Sequence, residues 1–323
     1  MARYSTFEEA YISELRQTLE SFHFRNSPRG QHSTERLGVE FEITHPIHRA
    51  VTIPERRANI IFNFAEALWY LSGSNSLEHI AYYAPRMRRY SADGVTLQGT
   101  AYGPRIFAFG PTNTNQWANV VNQLRRDPHS KRAVIQIFDG AEHEVADNID
   151  MACTLALQFL VRDERVHMIA YMRANDAFRG VVSDVFSFTF LLEVMACELG
   201  YAVGSYRHVV GSYHVYDEDS AWAHEVAASS SGISGLAFPN MPAEDNWPHI
   251  RTVIHYEEQL RHNDLRLSAE LLRQLNLPIY WRDILILLEL QHYRANAEVP
   301  PDELLDEVDV FFKQFLKRNT DFV

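Results

Sequence analysis

Cysteine is scarce in this chain, which has two thiols, Cys153 and Cys197, among 323 residues. Two cysteines cannot make the disulfide framework of a small secreted domain, so a reducing, cytoplasmic setting is expected. Basic side chains are outnumbered, with 30 Lys and Arg against 42 Asp and Glu and a formal net charge of −12. Such a chain is poorly suited to neutralise a nucleic-acid backbone or an anionic lipid surface, and neither is expected as a partner. Any anionic partner is therefore small and met by a local cluster of cations. Asp, Glu, Arg or His cuts every apolar run below the roughly 18 residues that span a bilayer. Met1 to Thr18 lacks the charged start and apolar core of a secretion signal. There is no Cys-x-x-Cys or His-Glu-x-x-His, so no metal is expected, and no Gly-rich loop ahead of a helix to cradle a dinucleotide. Internal repeats are absent too. What remains is a composition 46% hydrophobic on a chain long enough to bury a full core.

Hydrophobic spacing predicts alternating helices and strands. Thr6 to Phe22 reads as an amphipathic helix, Asn26 to Ser33 as a loop holding Pro28-Arg29-Gly30, and Val39, Phe41 and Ile43 as one face of a strand. Asn59 to Leu71 is helical, as is Asn115 to Arg126, which stops at Asp127-Pro128 before a strand from Arg132 to Phe138. Cys153 to Val161 and Val166 to Arg173 flank a polar turn and read as an antiparallel pair. Val185 to Leu199 is a buried helix stopped by Gly200, and Tyr206 to Tyr216 is a strand. Ala227 to Pro248 has the composition of a linker, and the pattern from Ile250 onward is helical. The expected class is α+β, a mixed sheet packed with helices. Residues 1–226 would form the body, and 227–323 a linker and helical extension of the same domain.

Several residues can carry chemistry. Cys153 is either a nucleophile or a small buried hydrophobe; Cys197 lies within the apolar helix. Arg29, Lys131, Arg132 and Arg173 stand at loops or element ends, where they are solvated charges or converge on a phosphate. His214 and Tyr216 alternate on one strand face, lining a cleft or pairing in the core. Glu66, among Phe64, Ala65, Ala67, Leu68 and Trp69, must be partnered, protonated or an acid–base group. Asp176 and Asp184, eight residues apart around Gly180, flank a loop or act as turn and N-cap residues.

Order and spacing add to this. Glu66-Ala-Leu-Trp-Tyr-Leu-Ser-Gly-Ser-Asn75, Tyr102-Gly103, Ser130-Lys131-Arg132, Cys153 with Gln158 five residues on, Arg173-Ala-Asn-Asp176, Gly180, Asp184 and Gly211-Ser-Tyr-His-Val-Tyr216 together resemble the thymidylate synthase family, over roughly Gly38 to Tyr216. The resemblance implies that family's fold, methylenetetrahydrofolate as cosubstrate, a nucleotide monophosphate as substrate, and a homodimer. It makes Cys153 the nucleophile and gives Glu66 and Tyr102 the proton transfers. It puts Arg29 and Arg173, with Lys131 and Arg132 of a second copy, on the phosphate. His214 and Tyr216 fall on the sugar, Gln158, Ala174 and Gly180 on the substrate side, and Asp176, Asp150 and Val323 on the folate side, Val323 closing the site.

Departures from the family pattern refine the expectation. Asp184 replaces the base-reading Asn, and a carboxylate suits the amine and ring nitrogen of cytosine better than the edge of uracil. That exchange resembles the nucleotide hydroxymethylase branch, most of all CMP hydroxymethylases of mildiomycin-type antibiotic pathways, with phage-type dCMP enzymes next. The family's tryptophans give way to Met87-Arg-Arg-Tyr90, and Asp150 replaces a leucine, which implies a wetter folate side and water as the final reactant. Ala174 replaces a serine and Lys131 an arginine, leaving room for a ribose. The competing expectations are a thymidylate synthase acting on dUMP, a silent nucleotide-binding regulator and, more distantly, a thiol hydrolase.

Overall fold

Helix starts follow the polar residues that can satisfy free amides. In the computed structural model, which describes residues 1–229, 232 and 236–318, Thr6 and Glu9 form a reciprocal cap that opens α1 (Phe7–Glu20). Asn59 caps α2 (Ile60–Leu71), and Ser76 caps α3 (Leu77–Tyr83). After α4 (Tyr102–Phe107), Asn115 caps α5 (Gln116–Arg126). The core helix α6 (Gly180–Leu199) ends at Gly200 in the left-handed region. It begins five residues before the expected Val185 because Asp176 Oδ1 accepts from the amides of Phe178 and Arg179, at 2.8 and 3.0 Å, and turns the chain. Its first turn is Gly180-Val181-Val182-Ser183, in which two adjacent valines between a glycine and a serine give no helical apolar spacing. By length and composition alone α6 is apolar enough to cross a membrane, although Asp184 and Glu193 interrupt it as expected, and 78% of that window is buried inside the chain's own core.

The strands β1 (Ala2–Tyr4), β2 (Phe24–Asn26), β3 (Ser33–Ile43), β4 (Val134–Gln136), β5 (Thr154–Arg162), β6 (Arg165–Asp176) and β7 (Ala202–Tyr216) form one mixed sheet. Its order is β1-β3-β7-β6-β5-β4, with β2 also on β3. β6 runs parallel to β7 through the α6 crossover, and β5 and β6 form the expected hairpin around Asp163 and Glu164, both at positive φ. β4 is shorter than expected. Its last residue instead bonds a side chain, since Gln116 accepts from Gln136 N at 3.0 Å and donates to Gln136 O at 2.7 Å.

An irregularity crosses four strands in line. The pairing skips Gly38 in β3, Gly211 in β7 and Arg173 in β6, and shifts between Thr154 and Ala156 in β5. In β7 the buried positions are even-numbered from Gly204 to Val210 and odd-numbered at Tyr213 and Val215. β6 reverses likewise, from Met172 to Asn175. Beyond this line Ala174, Asp176, His214 and Tyr216 turn away from the core, and Asn175 and Tyr213 turn into it. Gly211 makes the contact possible, because a Cβ there would lie 2.8 Å from the Arg173 carbonyl oxygen.

The remaining helices are α7 (Ser220–Ala228), α8 (Trp247–Arg261), α9 (Ala269–Gln274), α10 (Ile279–Ala295), α11 (Asp302–Asp306) and α12 (Val310–Arg318). They share the hydrophobic core of the sheet and α6. Phe238, from the stretch with linker composition, is buried against Phe64, Phe186 and Phe312. Val323 lies outside the described residues.

Gly211→Ala is expected to cost about 1–3 kcal/mol, because the new methyl meets backbone that cannot yield like a side chain. Urea unfolding measures it, and a variant as stable as the parent would refute the close approach.

Candidate functional site

Cys153 sits at the foot of β5, partly buried, where Arg173 wraps the strand start. Arg173 Nε donates to Ala152 O at 2.8 Å and Nη2 to Met151 O at 3.0 Å, which leaves Nη2 3.7 Å from the Cys153 Sγ. The Arg173 amide donates to Cys153 O at 2.9 Å, locking the two strands at the irregularity. Burial pushes the thiol up, Asp184 and Asp150 push the same way, and Arg173 and Arg29 oppose them. Arg29 reaches this region from the Pro28–Gly30 turn, where its own φ is +52°.

One buried acid and one partly buried acid stand near the thiol. Glu66, on α2, accepts from Ser187 Oγ at 3.0 Å and is pushed up to about 8, first by burial and then by Asp184. Asp184, one turn before Ser187 on α6, is pushed up to about 7 by burial, with Asp176 adding to it. A hydrogen bond from Asn175 Nδ2 to Oδ2 at 2.7 Å holds it down. Tyr102 stacks on Tyr70 at 4.9 Å between ring centroids, and its oxygen accepts from Thr154 Oγ1 at 3.0 Å, next to Cys153. The Tyr216 hydroxyl is pushed up by burial and feels Asp176, Arg29 and Cys153. The His214 ring meets the Tyr216 ring edge-on at 4.9 Å. Cys153, Arg173, Arg29, Glu66, Tyr102, Asp184, Asp176, His214 and Tyr216 thus gather at one end of the sheet, with Ala174 and Gly180 beside them.

Other expected residues are placed differently. Both Asp150 oxygens are engaged by backbone: Gln98 N at 2.7 Å, Gly99 N at 3.0 Å and Thr100 N at 2.8 Å. The side chain is buried and straps the loop ahead of Tyr102, a different job from wetting a cofactor surface. Gln158 lies roughly 16 Å along β5 from Cys153, five residues at a strand's rise. It donates to Lys131 O at 3.1 Å and accepts from Tyr171 at 3.2 Å, so the chain does not bring it to its own thiol. Lys131 and Arg132 are at that same far end, ahead of β4, where Val134 pairs with Gln158. Asp176 Oδ1 forms the turn that starts α6, and Oδ2 makes no hydrogen bond among the described residues.

Sequence reasoning passed over Arg86, Asn175 and His208. Arg86, after Pro85, has its guanidinium over the Phe62 ring at 5.8 Å and near enough to Glu66 to oppose its upward shift. It makes no ion pair among the described residues. Nothing in its local pattern distinguishes it from Arg88 or Arg89. Asn175 lies inside Arg173-Ala-Asn-Asp176 and was readable as a spacer until the strand reversal turned it inward.

A family model described as thymidylate synthase matches residues 9–257. The chain belongs to the thymidylate synthase family. Its mixed α+β architecture agrees with that family's fold, as expected. Three phage proteins, each named deoxyuridylate hydroxymethyltransferase, are similar to it. That of Bacillus phage SP01 is 31% identical over 203 residues, covering 60% of this chain and 53% of the phage protein. That of Delftia phage PhiW-14 is 32% identical over 196 residues, covering 57% and 53%. That of Pseudomonas phage M6 is 32% identical over 179 residues, covering 54% and 49%. The chain spans about half the length of these relatives.

Two outcomes test the electrostatics of this thymidylate synthase family site. Asp184→Asn should move the alkylation midpoint of Cys153 by iodoacetamide to lower pH, and Arg173→Met to higher pH. Peptide mass separates Cys153 from Cys197, whose thiol burial pushes up to about 12; shifts of the same sign would refute the arrangement. Glu66 keeps a proton in the folded state that the unfolded chain gives up above its ordinary value of 4.5, so stability falls as pH rises from about 4.5 to about 8. Glu66→Gln should flatten that fall in urea unfolding between pH 5 and 8. Asp184 contributes a slope of the same sign and leaves a remainder; an unchanged slope would contradict the assignment.

Proposed function

We propose that the chain transfers a one-carbon unit from methylenetetrahydrofolate to carbon 5 of a cytosine nucleotide, CMP in preference to dCMP, with water completing a 5-hydroxymethyl group. The observation that carries this reading is Asp184 itself. A carboxyl stands within reach of the thiol, one oxygen bonded to Asn175 and the other unbonded among the described residues. Such a group presents an acceptor, or a hydroxyl when protonated, to the amine and ring nitrogen of cytosine.

In this mechanism the Cys153 thiol gives up its proton and the thiolate adds to carbon 6, making carbon 5 nucleophilic. Asp184 holds the ring. Methylenetetrahydrofolate supplies, when bound, a carbon at the oxidation level of formaldehyde. Carbon 5 takes that unit and gives up its proton through Glu66, Tyr102 and water, the carbon–nitrogen bond to the cosubstrate breaks so that tetrahydrofolate leaves, and water adds to the new carbon as the bond to Cys153 breaks. The residues present fit such a cosubstrate. Arg86 offers a cation to its carboxylate tail, and Asp176 Oδ2 offers an acceptor to the ring system. Arg29 and Arg173 bind the phosphate, and His214 and Tyr216 the sugar.

A second copy belongs to this reading. Lys131 and Arg132, too far from their own thiol, would reach the phosphate across a homodimer. The exposed apolar side chains Val134 and Leu155, on neighbouring strands, favour such a contact. Ala174 and Lys131 support the ribose preference by leaving space beside the sugar. The names of the phage relatives favour a second reading, hydroxymethylation of dUMP.

Product mass after incubation with methylenetetrahydrofolate and, separately, CMP, dCMP, UMP and dUMP tests both. A hydroxymethyl group gained by CMP faster than by dCMP is the expected outcome, with Cys153→Ala reducing turnover at least ~1,000-fold. Gain on dUMP alone would replace the cytosine reading with that of the relatives. No gain in any tube would leave a binding protein.

A further inference from the structure

Behind Asp184 a chain of hydrogen bonds runs into the core. Tyr206 and His208, on β7, are fully buried and Asn175, on β6, nearly so. The Tyr206 hydroxyl lies 2.7 Å from His208 Nδ1, His208 Nε2 lies 3.0 Å from Asn175 Oδ1, and Asn175 Nδ2 lies 2.7 Å from Asp184 Oδ2. We infer that Tyr206, His208 and Asn175 are positioning residues that fix the polarity of Asp184, holding Oδ2 as an acceptor and leaving Oδ1 as the oxygen that carries any proton toward the pocket. This rests on the proposed role of Asp184 in reading the base.

The direction of the chain follows from its far end. The Tyr206 hydroxyl has one hydrogen-bond partner among the described residues, His208, so its proton is satisfied only by donating to Nδ1. The imidazole, kept neutral by burial, then carries its proton on Nε2 and donates to Asn175 Oδ1. That turns the amide so that Nδ2 donates to Asp184. The opposite direction would leave a buried phenol proton without an acceptor among the described residues and, with Asp184 ionised, two acceptors facing each other at Asp184. Gly180 packs against the last bond. A Cβ there would lie 3.2 Å from Asn175 Nδ2 and 3.6 Å from Asp184 Oδ2, so the missing side chain leaves the amide its place.

Among the described residues Asp176, on β6, adds its charge to the upward push of burial on Asp184. The titratable groups that Asp184 in turn acts on are Glu66 and Tyr70 on α2, Tyr102 on α4, Cys153 before β5 and Tyr206 on β7, all of them acids. The Asn175 bond is what opposes burial.

The test is a carbon-13 carboxyl NMR titration of the ligand-free protein, with the Asp184 resonance assigned by its loss in Asp184→Asn. Asn175→Ala should raise the Asp184 midpoint by about one pH unit, since a donor to the charged form is removed. Tyr206→Phe, nearly isosteric, and His208→Leu should shift it in the same direction by less. His208→Gln, whose amide can accept from Tyr206 and donate to Asn175, should restore the parent midpoint. Unshifted midpoints in Tyr206→Phe and His208→Leu would overturn the relay, even if Asn175→Ala moved. The pH profile of kcat/KM on CMP should follow the same order. A shifted titration without turnover of any nucleotide would refute the proposed function and leave the relay standing; turnover with an unshifted titration would do the reverse.

Discussion

Arg173 and Gly211 meet backbone to backbone, with no space for a side chain between them, and at that contact both strands reverse the side they turn to the core. The geometry of the site depends on this. Had β6 kept its alternation past Met172, Asp176 would face inward with Ala174, and Asn175 would be out of reach of His208. The reversal does two jobs at once, sending Asp176, His214 and Tyr216 to the open end and Asn175 into the core behind Asp184. Pinning the Arg173 amide to Cys153 O extends the same discipline to β5 and sets the thiol beside the guanidinium.

Desolvation then decides the protonation states. One guanidinium at 3.7 Å and a second more distant one lower the Cys153 pKa, but burial is the larger effect, and two acids add to it. The resting thiol is therefore held above its ordinary value in spite of its cationic neighbours. Glu66 and Asp184 obey the same balance. A site arranged this way holds protons at neutral pH on groups that elsewhere would have lost them, which acid–base chemistry on a nucleotide requires.

Much of this was readable in advance because it is local. Capping residues, the Asp127-Pro128 stop, the Asp163-Glu164 turn and the Gly200 cap act within a few residues of themselves, and the element ends they set lie where the pattern puts them. Glu66 announced itself as a carboxylate in an apolar helix. The misses are non-local. The early start of α6 depends on the Asp176 side chain, the role of Asp150 on three amides about fifty residues away, and the inward turn of Asn175 on a kink shared by neighbouring strands. Gln158 shows the opposite limit, since closeness in sequence to Cys153 is distance along an extended strand.

Position 184 shows how one hydrogen bond from behind can decide what a side chain shows in front. Asn175 donates its amide hydrogen, so whichever residue stands at 184 must commit an oxygen to it. An asparagine would commit its carbonyl and face the pocket with two N–H donors, a match for the carbonyl oxygen of uracil but not for the amine of cytosine. An aspartate commits Oδ2 and faces the pocket with Oδ1, which accepts from an amine when bare and donates to a ring nitrogen when protonated. The same buried relay can thus sit behind either residue, and under the proposed function the exchange of a single amide for a carboxyl would invert the edge offered to a base without disturbing the core that holds it.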